Sequence, residues 1–320
     1  MSLKLLILLP LLCILLLPAE AQKSKTSFKV VGYYSLRSAM ETTKGVPFKK
    51  LTHINLSFLN PDTLGNFVQD ISGLHPFIEK AHRKNVKVLF SIGGGSKHPQ
   101  YYSLLKDDKR TLFISKLVAE ALKHNVDGLD VDLEGSDIDE NYENFVIELA
   151  WSLRSHNKLI TAAIAVYYKD QLSDKALAQY DFVNVMSYDR TGPWRPEKPG
   201  PHAAYEHAVE DLAYFGTVRN IPKEKMTLGV PFYGYGYGPE RTSPAISMNF
   251  GQIVSAFPGS EFVDQWIRDD GMIIYYNGIP TMKRKTELAK EKAAGIMIWQ
   301  VRGDARGSKS LLKTINKVGF

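Results

Sequence analysis

A chain of 320 residues with 44% hydrophobic residues, one cysteine and a formal net charge of +6 is long enough to bury a core unaided. That balance excludes a disordered polymer and a disulfide-stapled scaffold. The basic residues are scattered, and the densest runs, "KEKMT" and "MKRKTELAKEKAAG", read as solvated helix or loop faces, so no nucleic-acid footprint is expected.

The chain opens on "MSLK", then the apolar "LLILLPLLCILLLP", then the small residues "AEA". This is the layout of a secretory signal peptide, with cleavage expected after Ala21. The apolar run is short for a membrane span and is broken by Pro10 and Pro18. Leu12 before Cys13 argues against a lipoprotein-type site. The expected product, 22–320, has no thiol, no membrane attachment, and a secreted or periplasmic location.

Eight β-branched or aromatic runs follow in order: 28–35, 51–59, 86–94, 126–134, 159–168, 182–189, 226–234 and 294–300. Between them lie helix-like segments such as 73–85, 108–125, 140–157 and 203–220, each ending in Asn, a residue suited to a helix stop. Apolar strands alternating with helices point to parallel strands covered outside by helices. Eight is the number that closes a (β/α)8 TIM barrel in one domain, with a doubly wound open sheet as the alternative. The interval 234–280 is too long for one helix and its loops. It reads as a small α+β elaboration on the rim after strand 7, with a short helix at "FGQIVSAFP" and a hairpin strand at "GMIIYYNGIP". In a barrel, Tyr33, Asn60, Gly93–Gly95, Glu134, Tyr168, Tyr188, Asp189, Tyr233 and Trp299 would converge on one rim from the carboxyl ends of these runs.

The fourth run, "VDGLDVDLE", sets acids within apolar residues. Alternate side chains of a strand share a face. Asp130, Asp132 and Glu134 therefore point inward, each about 6.6 Å beyond the last. Leu129, Val131 and Leu133 point out beneath the helices. Asp127 falls on the other face, where a cap or turn bond suits it. Three stacked carboxyls cannot all ionise cheaply in low dielectric, so at least one retains its proton near neutral pH, which is what a general acid requires. On the residues alone, a divalent-metal site or an inert ladder neutralised by basic neighbours stays open. No histidine or further acid cluster joins the three, and no Arg or Lys occupies a nearby inward position. His202 and His207, in "HAAYEH", miss metalloprotease spacing by one residue and read as surface residues; Trp151 reads as helix core.

The pattern "DGLDVDLE" resembles the D-x-x-D-x-D-x-E signature of family 18 glycoside hydrolases, the chitinase family. "VLFSIGGG" resembles the family's S-x-G-G strand, "LTHINLSF" its second strand, and "MSYDRTGPW" its M-x-Y-D segment with a following Trp. "LGVPFYGYGY" and "GIMIWQ" resemble its last two strands, so the likeness runs from about Lys29 to Asp304. It implies a retaining, substrate-assisted glycosidase, one of the exceptions to the two-carboxylate scheme. Glu134 would protonate the glycosidic oxygen. Asp132 would orient the acetamido nitrogen, Asp130 would share a proton with Asp132, and Tyr188 would hold the acetamido oxygen. Trp299 would form an apolar platform beneath the scissile sugar, Asp189 would bond the substrate, and Met186 would line the floor. Tyr33, Phe58, Gly94, Gly95, Trp194, Tyr233 and Tyr235 are further cleft candidates.

The residue after the paired glycines is often Trp in the family, whereas here it is Gly95, so one stacking surface is missing. "IGGGSK" matches neither phosphate-loop pattern. The implied partner is an oligosaccharide or polysaccharide containing N-acetylglucosamine, cut by a monomer needing no cofactor or metal. An endoglycosidase of N-glycan chitobiose cores and a non-catalytic chitin-type lectin remain as alternatives. Glu134, Asp132 and Tyr188 are all present, which argues against the lectin.

Overall fold

The computed structural model describes residues 28–240 and 245–320, so the expected signal peptide lies outside the described residues. Each apolar run supplies one strand of a closed barrel. In chain order these are β1 (Lys29–Ser35), β2 (His53–Ser57), β3 (Lys87–Gly93), β4 (Gly128–Asp132), β5 (Leu159–Ile164), β6 (Phe182–Met186) and β7 (Met226–Pro231). The rim strands β8 (Tyr233–Tyr237), β9 (Ile246–Asn249), β10 (Gln265–Ile267) and β11 (Ile273–Tyr275) come next, and β12 (Gly295–Trp299) completes the barrel. Sequential barrel strands pair in parallel, and β1 closes on β12, the topology of a (β/α)8 TIM barrel.

Local chemistry explains the alternation. Asn85, Asn125, Asn157 and Asn220, which close four helical segments, adopt φ values of 56°, 52°, 55° and 53°. Asparagine tolerates this left-handed conformation better than most residues, so each turns the chain sharply from a helix into the next strand. Asp127 then accepts from the Val88 amide at 2.7 Å and from His82 Nε2 at 2.8 Å, fastening the start of β4 to its neighbour.

The main apolar core lies between the strands and the outer helices, whereas the barrel interior holds a smaller cluster including Val31, Tyr33, Tyr188 and Met297. The run expected at 226–234 breaks at Phe232 into β7 and β8. From there the chain builds the elaboration, an antiparallel sheet in the order β10-β11-β8-β9 with a helix at Phe250–Ala256. That helix opens with a capping box between Asn249 and Gln252.

Three expectations need correction. Trp151 is 76% exposed, because its helix Tyr142–Ser155 turns Phe145, Val146, Leu149, Ala150 and Leu153 inward and leaves 151 off that face. His202 is 1% exposed, since its loop folds back against Tyr233 and Tyr235, and His207 is half-buried on the helix Tyr205–Ala213 that follows. Lys285, within a run read as solvated, is fully buried on the helix Ile279–Lys292.

Candidate active site

At the carboxyl end of the barrel, β3 and β4 run side by side with Ser91 opposite Asp130 and Gly93 opposite Asp132. Beyond β3 the chain turns through Gly93 (φ 95°) and Gly94 (φ 102°), a region where L side chains are strained. The Gly94 amide donates to the Asp132 carbonyl at 2.7 Å. Asn60 clips the turn, taking the Gly93 amide on Oδ1 at 2.7 Å and returning a bond to the Gly93 carbonyl at 2.9 Å. A Cβ on Gly94 would sit 2.6 Å from the Phe58 ring, so this glycine makes room for an aromatic. A Cβ on Gly95 would meet only Glu134 Oε1, at 3.6 Å, so the chain passes the acid with no side chain beside it.

The three acids of β4 have different surroundings. Asp130 is fully buried and accepts from Tyr33 Oη (2.6 Å), Ser91 Oγ (2.7 Å), Thr161 Oγ1 (2.5 Å) and Asn184 Nδ2 (3.3 Å). Burial raises its pKa, and these donors oppose the rise. Asp132 is buried too, yet its Oδ1 has no hydrogen-bond partner among the described residues. Burial, then the charges of Glu134 and Asp130, holds its carboxyl well above the usual carboxylate range. Glu134 stands at the mouth, where Tyr168 Oη donates to its Oε2 at 3.4 Å. Burial pushes it from 4.5 up to about 7; the Tyr168 bond works against the rise, while Asp189 and Asp137 add to it. Among the described residues none of the three is paired with a basic side chain, so the neutralised-ladder alternative has no support. No group of three His, Cys, Asp or Glu among those residues is arranged to hold a metal ion.

Opposite the acids, Asp189 sits at φ 60° with its Oδ1 taking three bonds: Tyr233 Oη (2.5 Å), Tyr235 Oη (3.1 Å) and His202 Nδ1 (3.2 Å). Tyr188 is buried, and among the described residues its hydroxyl has one hydrogen-bond partner, the Met297 sulfur at 4.0 Å. A cavity of about 170 Å³ joins these groups, lined by Phe58, Gly95, Asp132, Glu134, Ala165, Tyr167, Met186, Tyr188, Asp189 and Trp299. Phe58 and Trp299 stack across it with centroids 5.7 Å apart, and Tyr33 meets Trp299 edge-on from below at 5.2 Å.

The chain-distant residues named from sequence thus divide. Glu134, Asp132, Tyr188, Asp189, Met186, Phe58, Gly95 and Trp299 line one cavity. Asp130, Tyr33, Tyr233 and Gly94 lie behind its wall, supporting the groups that do. Trp194 does not line it; it is 59% exposed on the rim with its edge against Tyr235. Sequence reading placed Tyr168 on the rim without a role and did not single out Tyr167 and Ala165. The strand-end run "AVYYKD" was their signal, but alternation does not tell which tyrosine faces the cavity once the strand stops at Ile164.

The described site lies within the span that matches a family model. Glycosyl hydrolases family 18 matches residues 29–304. The chain belongs to this family. Among solved family 18 structures, the chitinase from the chitin utilization locus of Flavobacterium johnsoniae superposes with a TM-score of 0.81 at 37% identity, over 92% of this chain and 94% of that one. A chitinase from Bacteroides thetaiotaomicron gives a TM-score of 0.76 at 27% identity, over 91% and 96% of the two chains. The chain spans about half the length of the curated relatives it matches, such as the chitinase-like effector of Moniliophthora roreri (27% identical, 60% of this chain, 54% of that one).

Proposed function

We propose that this family 18 chain is an exported, monomeric glycosidase that cleaves β-1,4-linked N-acetylglucosamine with retention, the substrate's own acetamido group acting as nucleophile. One observation carries the reading. Among the described residues, Asp132 Oδ1 is a buried acceptor with no hydrogen-bond partner, and Tyr188 Oη is a buried donor whose one partner is a sulfur. Both face the same small cavity as Glu134. Such a pair, one acceptor and one donor, is complementary to an amide N–H and C=O, and unmet buried polar groups favour a ligand that satisfies them.

The chemistry follows from the placement. Asp132 takes the acetamido N–H and Tyr188 donates to its carbonyl oxygen, aiming that oxygen at the anomeric carbon. As the oxygen bonds to that carbon, the glycosidic C–O bond breaks and its electron pair leaves with the departing sugar. Glu134 gives its proton to that leaving oxygen. As positive charge develops on the ring, Asp132 passes the proton that burial holds on it to Asp130 and, now negative, stabilises the oxazolinium ion. Glu134, now a carboxylate, takes a proton from water as the water attacks the same carbon, reopening the ring on the original face and restoring the acid. Asp130, held by three hydroxyls and an amide, fixes the acid ladder from below. The Trp299–Phe58 stack offers an apolar face for the C–H side of a pyranose. Two plant chitinases of similar fold, from tobacco and from Cycas revoluta, have been solved in complex with N-acetylglucosamine oligomers, in keeping with such a ligand.

The test compares products from chitohexaose with those from a high-mannose glycopeptide by mass spectrometry. Chito-oligomer products with retained β-configuration support the proposal; cleavage of the glycopeptide alone would assign the chain to N-glycan cores instead. Glu134→Gln is expected to abolish cleavage while oligomer binding persists. If deacetylated oligomers were cut as fast as acetylated ones, the acetamido step would be wrong.

A further inference from the structure

The loop after β6 leaves the cavity at Asp189, runs through exposed residues past Trp194, and returns at His202. Its two ends are tied by two hydrogen bonds at one place. The Arg190 amide donates to the His202 carbonyl at 3.0 Å, and His202 Nδ1 donates to Asp189 Oδ1 at 3.2 Å. The imidazole also packs against Tyr233 and Tyr235, with centroids at 5.0 and 4.7 Å, and these are the two tyrosines that donate to the same carboxylate oxygen. For the Nδ1 contact the ring carries a hydrogen on Nδ1, and among the described residues Nε2 is buried without a hydrogen-bond partner.

The next peptide is pinned from the opposite side. Lys285 Nζ donates to the Ala203 carbonyl at 2.8 Å and to Asn277 Oδ1 at 2.9 Å, while Asn277 Nδ2 donates to the same carbonyl at 2.9 Å. Lys285 is fully buried, and burial lowers its pKa to about 7, with Asp264, Asp211 and Glu206 acting against that fall. A buried lysine bound only to a carbonyl and an amide contributes little stability for its desolvation, so its placement calls for a positional reason. Ala203 packs in the interior cluster that contains Tyr188, so the brace reaches both cavity residues of the "SYD" turn.

We propose that His202, braced through Ala203 by Lys285 and Asn277, is a positioning residue that locks Asp189, with Oδ1 filled by three donors, so that Oδ2 alone is presented to the substrate. Asp189 Oδ2 makes no hydrogen bond within the protein among the described residues, and Asp189 lines the cavity. A carboxylate free to rotate would offer either oxygen; one clamped on three sides offers a single acceptor in a fixed direction. Asp189 also keeps a non-glycine φ of 60°, a conformation that persists where surroundings hold it, and His202 ties the Asp189 carboxylate with its side chain and the adjoining Arg190 amide with its carbonyl. The consequence for turnover rests on the proposed glycosidase reading, whereas the geometric claim does not.

The experiment uses His202→Asn, which keeps a donor near Nδ1, and His202→Leu, which does not, alone and combined with Asp189→Asn. The leucine variant is expected to lose roughly 10- to 100-fold in kcat/KM on chitohexaose, the scale for misplacing a substrate-positioning group. The asparagine variant should recover most of that loss. Adding leucine to the Asp189→Asn background should produce little further loss, since His202 acts through the carboxylate; additive losses would overturn the proposal. If the leucine variant does not fold, His202→Phe, which refills the stack between the tyrosines, takes its place. A crystal structure of the donor-less variant decides independently of any sugar. Asp189 turned away from Tyr233 and Tyr235 is expected, and an unmoved Asp189 would sink the inference. Absence of turnover in the unaltered protein would count against the proposed function, while the position of Asp189 in that crystal structure would still decide the role of His202.

Discussion

Replacing Glu134 by glutamine should make this protein more stable as the pH rises while disabling it. Burial lifts the Glu134 carboxyl from 4.5 to about 7. Between those values the unfolded chain has released this proton and the folded chain still holds it, so the wild-type protein loses stability with rising pH at about 1.4 kcal/mol per pH unit. Below the window the stability is fully present; above it the loss levels off at about 3 kcal/mol in all. Glu134 is partly solvated on its rim side, which trims the figure to roughly 2–3 kcal/mol. The glutamine variant has no such proton to lose and also relieves Asp132, with which Glu134 titrates as a pair. Urea unfolding of both proteins at pH 4.5, 6 and 8 is the assay. The difference should move toward the variant by roughly 2–3 kcal/mol across the series, with unchanged denaturant slopes. On a chito-oligosaccharide the same variant should lose about 10²–10⁴-fold in kcat, or roughly 3–5 kcal/mol of barrier. A stability difference flat across the series would refute the claim that this carboxyl is held protonated by its burial.

Three further substitutions separate catalysis from architecture. Tyr188→Phe removes a hydroxyl whose one hydrogen-bond partner among the described residues is a sulfur at 4.0 Å, so melting should shift by less than about 0.5 kcal/mol equivalent while kcat falls on the order of 10- to 100-fold. Asp130→Asn turns an amide toward donors that now point at a carboxylate; a loss of about 2–4 kcal/mol is expected in urea unfolding, and an unchanged midpoint would show that the hydroxyls simply rotate away. Gly94→Ala forces a Cβ to 2.6 Å from the Phe58 ring at a φ of 102°, so about 1–3 kcal/mol should be lost and the near-UV dichroism of the Phe58–Trp299 stack should change.

The barrel and its acid ladder were legible because both depend on period. Apolar runs of strand length, helices closed by asparagine, and acids at every second position of β4 are local patterns, and a two-residue repeat leaves only one face for Asp130, Asp132 and Glu134. What the repeat cannot convey is which chain-distant groups meet those acids. The four donors on Asp130 come from β1, β3, β5 and β6, and only closure of the barrel makes them neighbours. The same holds for the misread residues. His202 and Lys285 lie in polar stretches that resemble surface, and a tertiary fold-back buries them beside Asp189 and Ala203. Trp151 lies in an apolar stretch, and the helix phase set by Phe145, Leu149 and Leu153 turns it to solvent.

The amino-acid order by itself therefore determined the number of barrel strands and the inward direction of the acids, since both follow from the geometry of single elements. Only the tertiary structure decided which tyrosine and tryptophan share the cavity, which oxygen of Asp189 is spoken for, and how far Glu134 is lifted toward neutrality. Those outcomes depend on burial and on partners far apart in sequence, and neither exists until the barrel has closed.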